Sequence, residues 1–182
     1  MLIMLLLRVA LALPPAGQVS AVILHAAVVE AADVWAPYGV SVAAAGAADE
    51  GGVVLPVVLI ESRGLPVLPG WRGALAAIRF TAAGAPTPAI TVFLTDIEQF
   101  VAGARVLSAP GWRWPQRLRD QVFGRVLGRV LAHEIGHYVL RSPDHAADGL
   151  MRSQQLVDDL ASPSRGRYML TAADVARLRD VQ

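Results

Sequence analysis

Three of the four histidines in the chain, His133, His137 and His145, fall within thirteen residues. His133 and His137 stand four positions apart with Glu134 between them. On a helix that spacing puts both imidazoles on one face, one turn apart, where they can reach a single divalent cation about 2.0–2.1 Å from each nitrogen. Glu134 points off that axis but stays within reach of a water on the cation. A zinc ion brings the pKa of such a water to about 7, and the carboxylate can take its proton as the water attacks a carbonyl. The chain has no cysteine, which excludes disulfides, a thiol nucleophile and thiolate ligands; any metal must use His, Asp or Glu. A catalytic site needs a third protein ligand and one open position. His145 is the first candidate, because Pro143 turns the chain after the helix and Asp144-His145 then returns beneath the ion. Asp144, Asp148, Asp158 and Asp159 are the acidic alternatives.

The element that must carry these groups is a helix spanning about Pro115 to Ser142. Phe123, Val126, Leu127, Val130, Leu131, Ile135, Tyr138 and Val139 form one apolar stripe along it. Beside the stripe, Gly124, Gly128, Ala132 and Gly136 recur every four residues, so another element can approach closely. Pro143 is the expected stop, since it disfavours α geometry at Ser142. Upstream, a helix is expected from about Gln18 to Tyr38, and strands at Val40–Ala43, Val53–Glu61, about Ala74–Phe80 and Ile90–Thr95, separated by Gly/Pro clusters. Short helical segments are expected at Ser153–Leu160 and at Asp174–Val181, the latter capped by Thr171.

The first thirteen residues, MLIMLLLRVALAL, are apolar except for Arg8, too short a run for a membrane span of about 20 residues. Residues 1–21 read either as a signal peptide, with Ala21 ending a V-S-A cleavage site, or as a buried strand at Leu5–Leu13 ended by Pro14-Pro15. The strand is favoured, because the start carries no positive charge. Export would follow from the signal reading, a cytoplasmic location from the strand.

The stretch HEIGHYVLRSPDHAADGLM resembles the metzincin zinc-peptidase pattern, H-E-x-x-H-x-x-G-x-x-H followed by a methionine turn. It is most similar to the matrixin-like branch, in which an Asp-His pair precedes a Leu-Met. The resemblance implies a zinc metalloendopeptidase with His133, His137 and His145 as zinc ligands, Glu134 as general base and Met151 in the turn under the metal. It departs in two places: the third histidine comes eight residues after His137 instead of six, and Leu140 replaces the turn glycine. Both fit a helix that continues past Leu140 to the proline stop. The implied order of strand, helix, strands, active-site helix, metal loop, methionine turn and final helix can be laid over residues 5 to 181.

At 182 residues with 54% hydrophobic and 17% charged side chains, the chain has the length and composition of one folded domain, which the resemblance implies is a zinc-peptidase-like catalytic domain over residues 1–182. The expected fold is α+β, a twisted mixed sheet of about four to five strands packed on the N-terminal helix and the long helix, metzincin-like. Net charge is +1, without the broad basic field of a nucleic-acid binder; the expected partner is a peptide or protein substrate. A non-catalytic zinc-binding domain, or a zinc hydrolase with Asp158 or Asp159 as third ligand, is the alternative. Among the remaining polar and aromatic residues, His25 reads as a packing or surface histidine and Arg125 and Arg129 as a solvated helix face. Tyr168 and Met169 read as hydrophobic anchors. Trp71, Trp112 and Trp114 read as core aromatics.

Overall fold

A computed structural model describes residues 7–15, 17–46, 52–61, 74–106 and 109–181. Five strands, β1 (Leu7–Ala12), β2 (Val40–Ala44), β3 (Val53–Ile60), β4 (Ala76–Phe80) and β5 (Pro86–Phe93), form one sheet in the order β2-β1-β3-β5-β4. The first four in that order run parallel, and β4 lies antiparallel to β5 at the edge. Five α-helices accompany the sheet among the described residues: α1 (Ala21–Trp35), α2 (Leu94–Gly103), α3 (Gln116–Val139), α4 (Val157–Ala161) and α5 (Ala172–Val181). The fold is α+β with a mixed five-stranded sheet, as the sequence implied.

β1 is an interior strand, hydrogen-bonded to β2 on one side and β3 on the other. Its apolar run therefore answers to burial, with Val9, Ala10 and Leu11 all in the core. The expected start at Leu5 lies outside the described residues. Removal of the chain up to Ala21 would take away both ladders of this strand. Helix α1 begins where Ser20 accepts a hydrogen bond from the Ile23 N–H, 3.3 Å away. The segment Ala21–Tyr38 is long and apolar enough to cross a membrane by length and composition alone. Here Leu24, Ala27, Val28, Ala31, Val34 and Trp35 bury one side of it in the core.

The row of small residues on α3 is where α1 crosses. A Cβ on Gly124 would stand 2.7 Å from the Ala26 Cβ, and one on Gly128 would stand 2.6 Å from the Ala27 carbonyl oxygen. One turn further, the Trp35 indole N–H donates to the Ala132 carbonyl at 3.0 Å. Glycine costs a helix about 1 kcal/mol relative to alanine. That loss is offset because it lets two backbones touch and fixes the rotation of α3.

Two expectations are corrected. The strand expected at Ile90–Thr95 runs from Pro86 to Phe93, and Leu94 and Thr95 instead open α2. Leu94, Ile97 and Val101, buried at helical spacing, hold that helix to the core. Arg129 is not on a solvated face: its side chain is fully buried and pairs with Glu30 of α1 at 2.8 Å. Its remaining donors reach the carbonyls of Asp159, Leu160 and Ser164. Arg125, partly buried, donates to the Ala161 carbonyl. Glu30 also holds Arg165 at 2.7 Å, so one carboxylate clamps α1 to α3 and to the C-terminal segment. Burial alone would raise the Glu30 pKa, but the hydrogen bonds and charges of Arg165 and Arg129 outweigh it and hold the carboxyl below its ordinary 4.5.

Gly128→Ala gains roughly 1 kcal/mol of helix propensity but forces α1 and α3 apart, an overpacking cost of about 1–3 kcal/mol; urea unfolding should register a net loss of stability. Glu30→Gln leaves Arg129 buried without its counter-charge and should cost about 3–5 kcal/mol at pH 7. Because the folded Glu30 pKa is depressed, its stabilisation is complete above 4.5 and fades as pH falls through the folded value. The gap between wild type and Glu30→Gln should therefore close in acid.

Candidate metal centre

His133 and His137 project from the last two turns of α3. Each ring is oriented by a main-chain carbonyl: His133 Nδ1 lies 2.8 Å from the Leu150 oxygen, and His137 Nδ1 lies 2.7 Å from the Ser142 oxygen. A carbonyl only accepts, so Nδ1 carries the hydrogen in both rings and Nε2 is left with a lone pair. The two Nε2 atoms face each other at 3.1 Å. Burial keeps both rings neutral. It pushes the His133 pKa down to about 3, with the neighbouring His137 adding to the effect, and it lowers His137 as well. Two facing lone pairs at this distance repel unless a positive centre sits between them.

His145 completes the group. The ligand nitrogens of His133, His137 and His145 all lie within 4.8 Å of one another. Ring centroids of His145 stand 5.3 Å from His133 and 4.8 Å from His137. The three imidazoles can hold a metal ion, and the donor set, neutral nitrogens with a more exposed third member, leaves a side open toward solvent. None of the acidic alternatives is part of this convergent group: Asp159 pairs with Arg152 at 2.9 Å, Asp144 bonds Ser142 at 2.9 Å, and Asp148 and Asp158 are exposed.

The return path differs from expectation. α3 does not run on to Pro143 but ends at Val139. Leu140 is the cap, and Arg141 takes the left-handed conformation at φ 51°. The Arg141 N–H bonds the Tyr138 carbonyl and the Ser142 N–H bonds the His137 carbonyl, the paired closure of a Schellman turn, in which glycine normally occupies the left-handed site. The turn therefore comes one residue later than the family pattern places it, on an arginine. Ser142 is then positioned to offer its carbonyl to His137, and its hydroxyl bonds Asp144 just ahead of His145.

Below the rings the chain folds back on itself. The Ala146 N–H reaches the Met151 carbonyl at 2.9 Å, and the Leu150 N–H reaches the Met169 carbonyl at 2.9 Å. Gly149 has φ 79°, and a Cβ there would collide with the Met169 carbonyl oxygen, so no other residue fits the turn. Met151 is buried with its sulfur against Gly136, the last small residue of the α3 row. Thus the methionine packs under the helix turn that bears both histidines.

Glu134 is buried and opens onto a cleft of about 770 Å³, lined by β4 residues Ala76–Ile78 and Phe80, by α3 and by residues 152–156. Burial pushes the Glu134 carboxyl up to about 8, with a hydrogen bond from the Ile78 backbone drawing it part of the way back. Such a group holds or releases a proton near neutrality. Among the described residues β4 is the edge strand, paired with β5 alone, and its residues Ala76–Ile78 and Phe80 line the cleft. That edge and Arg152 were not singled out from the sequence. The run Ala76–Phe80 was legible as a strand, but its place at the sheet edge depends on pairing with β5.

Tyr168 lies buried away from the cleft lining, its ring 4.4 Å beneath the Arg129 guanidinium. Trp114 is a core residue, Trp112 is exposed and Trp71 falls outside the described residues. His25 is exposed on α1. Comparison with protein-family models, with curated proteins and with solved structures returned no match to this chain.

Left-handed geometry costs a residue with a side chain roughly 1–2 kcal/mol, partly offset in glycine by its greater unfolded-state freedom. Arg141→Gly should accordingly stabilise the protein by about 0.5–1 kcal/mol in chemical denaturation, with metal stoichiometry unchanged.

Proposed function

We propose that the chain is a zinc-dependent metallopeptidase of metzincin type, closest to the matrixin-like branch, with His133, His137 and His145 as ligands and Glu134 as general base. One observation carries this: two imidazole Nε2 atoms, each freed by a carbonyl bound to its Nδ1, face each other at 3.1 Å with His145 alongside. Two such nitrogens on a tetrahedral zinc stand roughly 3.3 Å apart at ordinary bond lengths. Zinc is favoured over harder cations because all three donors are imidazoles.

When bound, zinc supplies a Lewis acid and an acidified water. The chain's own groups do the rest. Glu134 accepts the proton of the attacking water and returns it to the departing amine, a role suited to a carboxylate set next to the first histidine and opening onto the cleft. The free edge of β4 offers main-chain hydrogen bonds to an extended peptide, which would lie across the cleft above Glu134. Leu150 and Ser142 hold the imidazoles in register throughout. A purely structural zinc site has four protein ligands and no use for a buried carboxylate beside them; three histidines with Glu134 adjacent accord with a catalytic one.

Zinc content and cleavage of casein test the proposal. Wild type should carry one zinc per chain and lose activity to a chelator. His133→Ala and His145→Ala should lose the metal and Asp158→Ala should keep it. Glu134→Ala should keep zinc yet cut at least about 10²-fold more slowly. Undiminished cleavage by Glu134→Ala, or metal loss in Asp158→Ala but not in His145→Ala, would overturn it.

A further inference from the structure

The cleft beside Glu134 is walled by apolar side chains such as Val130, Leu156 and Leu160, yet two arginines line it as well, Arg129 and Arg152. Arg129 stands one helical turn before His133, about 6 Å along the axis, within the span of a single side chain from the metal centre. Every part of its guanidinium is engaged, by Glu30 and by the carbonyls of Asp159, Leu160 and Ser164. Arg152 is different. Its side chain is 10% exposed; Nε donates to Gln155 at 3.1 Å and Nη2 to Asp159 at 2.9 Å, and among the described residues Nη1 has no acceptor. Asp159 is shared with Arg167 at 3.5 Å, so it does not belong to Arg152 alone. Across the interlocked group, Arg129, Arg152, Arg165 and Arg167 face Glu30, Asp33 and Asp159. The Tyr168 ring lies 4.4 Å from the Arg129 guanidinium and 5.9 Å from that of Arg152 and keeps the two arginines side by side.

We propose that this end of the cleft selects an acidic side chain, Glu or Asp, on the substrate residue next to the bond being cut, with Arg152 as the specificity-determining residue. The inference rests on the peptidase reading above. An apolar side chain filling the pocket would strip water from Nη1 and leave that donor unpaired, whereas a carboxylate supplies the missing acceptor through a charge-assisted hydrogen bond. The apolar walls then hold the methylene stem of the same side chain.

Zinc-loaded wild type, Arg152→Gln and Arg152→Lys should be given a mixed peptide library, with cut sites read by mass spectrometry. In parallel, binding to zinc-loaded Glu134→Gln should be measured for peptide pairs differing only as Glu or Gln beside the scissile position. Wild type should favour Glu or Asp over Leu next to the cut by about tenfold or more. The Glu peptide should bind about tenfold tighter than its Gln twin. Arg152→Gln should bring the cutting preference to parity and Arg152→Lys should keep part of it. Efficient cleavage with no acidic preference in wild type would overturn the inference and leave peptide hydrolysis standing; that result needs no variant to fold. Failure to cut any library peptide would overturn hydrolysis itself, and equal binding of the Glu and Gln peptides would overturn the acidic pocket whether or not cleavage occurs.

Discussion

Two main-chain carbonyls, those of Leu150 and Ser142, decide what the histidine pair of α3 can do. By accepting the Nδ1 hydrogens they leave two Nε2 lone pairs facing each other, and a helix face bearing two imidazoles becomes able to hold a cation. Neither carbonyl belongs to α3. One comes from the turn closed by Gly149 and Met151, the other from the Schellman turn at Arg141. The loops after the helix therefore do more than deliver His145: they set the tautomer of the two histidines that precede them.

That arrangement requires α3 to be held without rotation or slip. The glycine row against α1 and the Met151 sulfur against Gly136 supply contact at backbone distance. The Glu30–Arg129 pair adds a charged lock between the same helices. A buried ion pair repays its desolvation only with good geometry and full hydrogen bonding, and Arg129 meets that condition through three further carbonyls. The same arginine fastens the segment 159–164 to α3, and Leu160 of that segment lines the cleft. Stability of the helix pair and shape of the site are thus maintained by common residues.

Much of this was legible before any coordinates. The apolar stripe of α3, the small residues at intervals of four, the interior character of β1 and the capping of α5 by Thr171, which exchanges hydrogen bonds with Asp174, all follow from local spacing. Arg129 looks solvated in the sequence because its position continues the histidine row, and a charged residue at helical spacing says nothing about what faces it. Glu30, its partner, lies 99 residues away. The β-branched residues Ile90, Thr91, Val92 and Thr95 mask the start of α2 in the sequence, although Ile97 and Val101 continue Leu94 at helical spacing. The end of α3 was placed at the proline, the strongest local signal, whereas a left-handed arginine closes the helix earlier.

By itself the sequence determined which residue types are available and which share a helix face: two imidazoles and a carboxylate within one turn, no thiols, and a third imidazole past a proline. Periodicity and covalent connectivity are enough for that. Only the tertiary structure decided that the third imidazole converges on the first two, which nitrogens are free, that β4 is the edge strand of the described sheet and lines the cleft with Glu134, and that Arg152 lines it too. Each of those depends on contacts between segments distant in the chain, where the outcome is set by packing and by the satisfaction of buried polar groups, not by any spacing along the sequence.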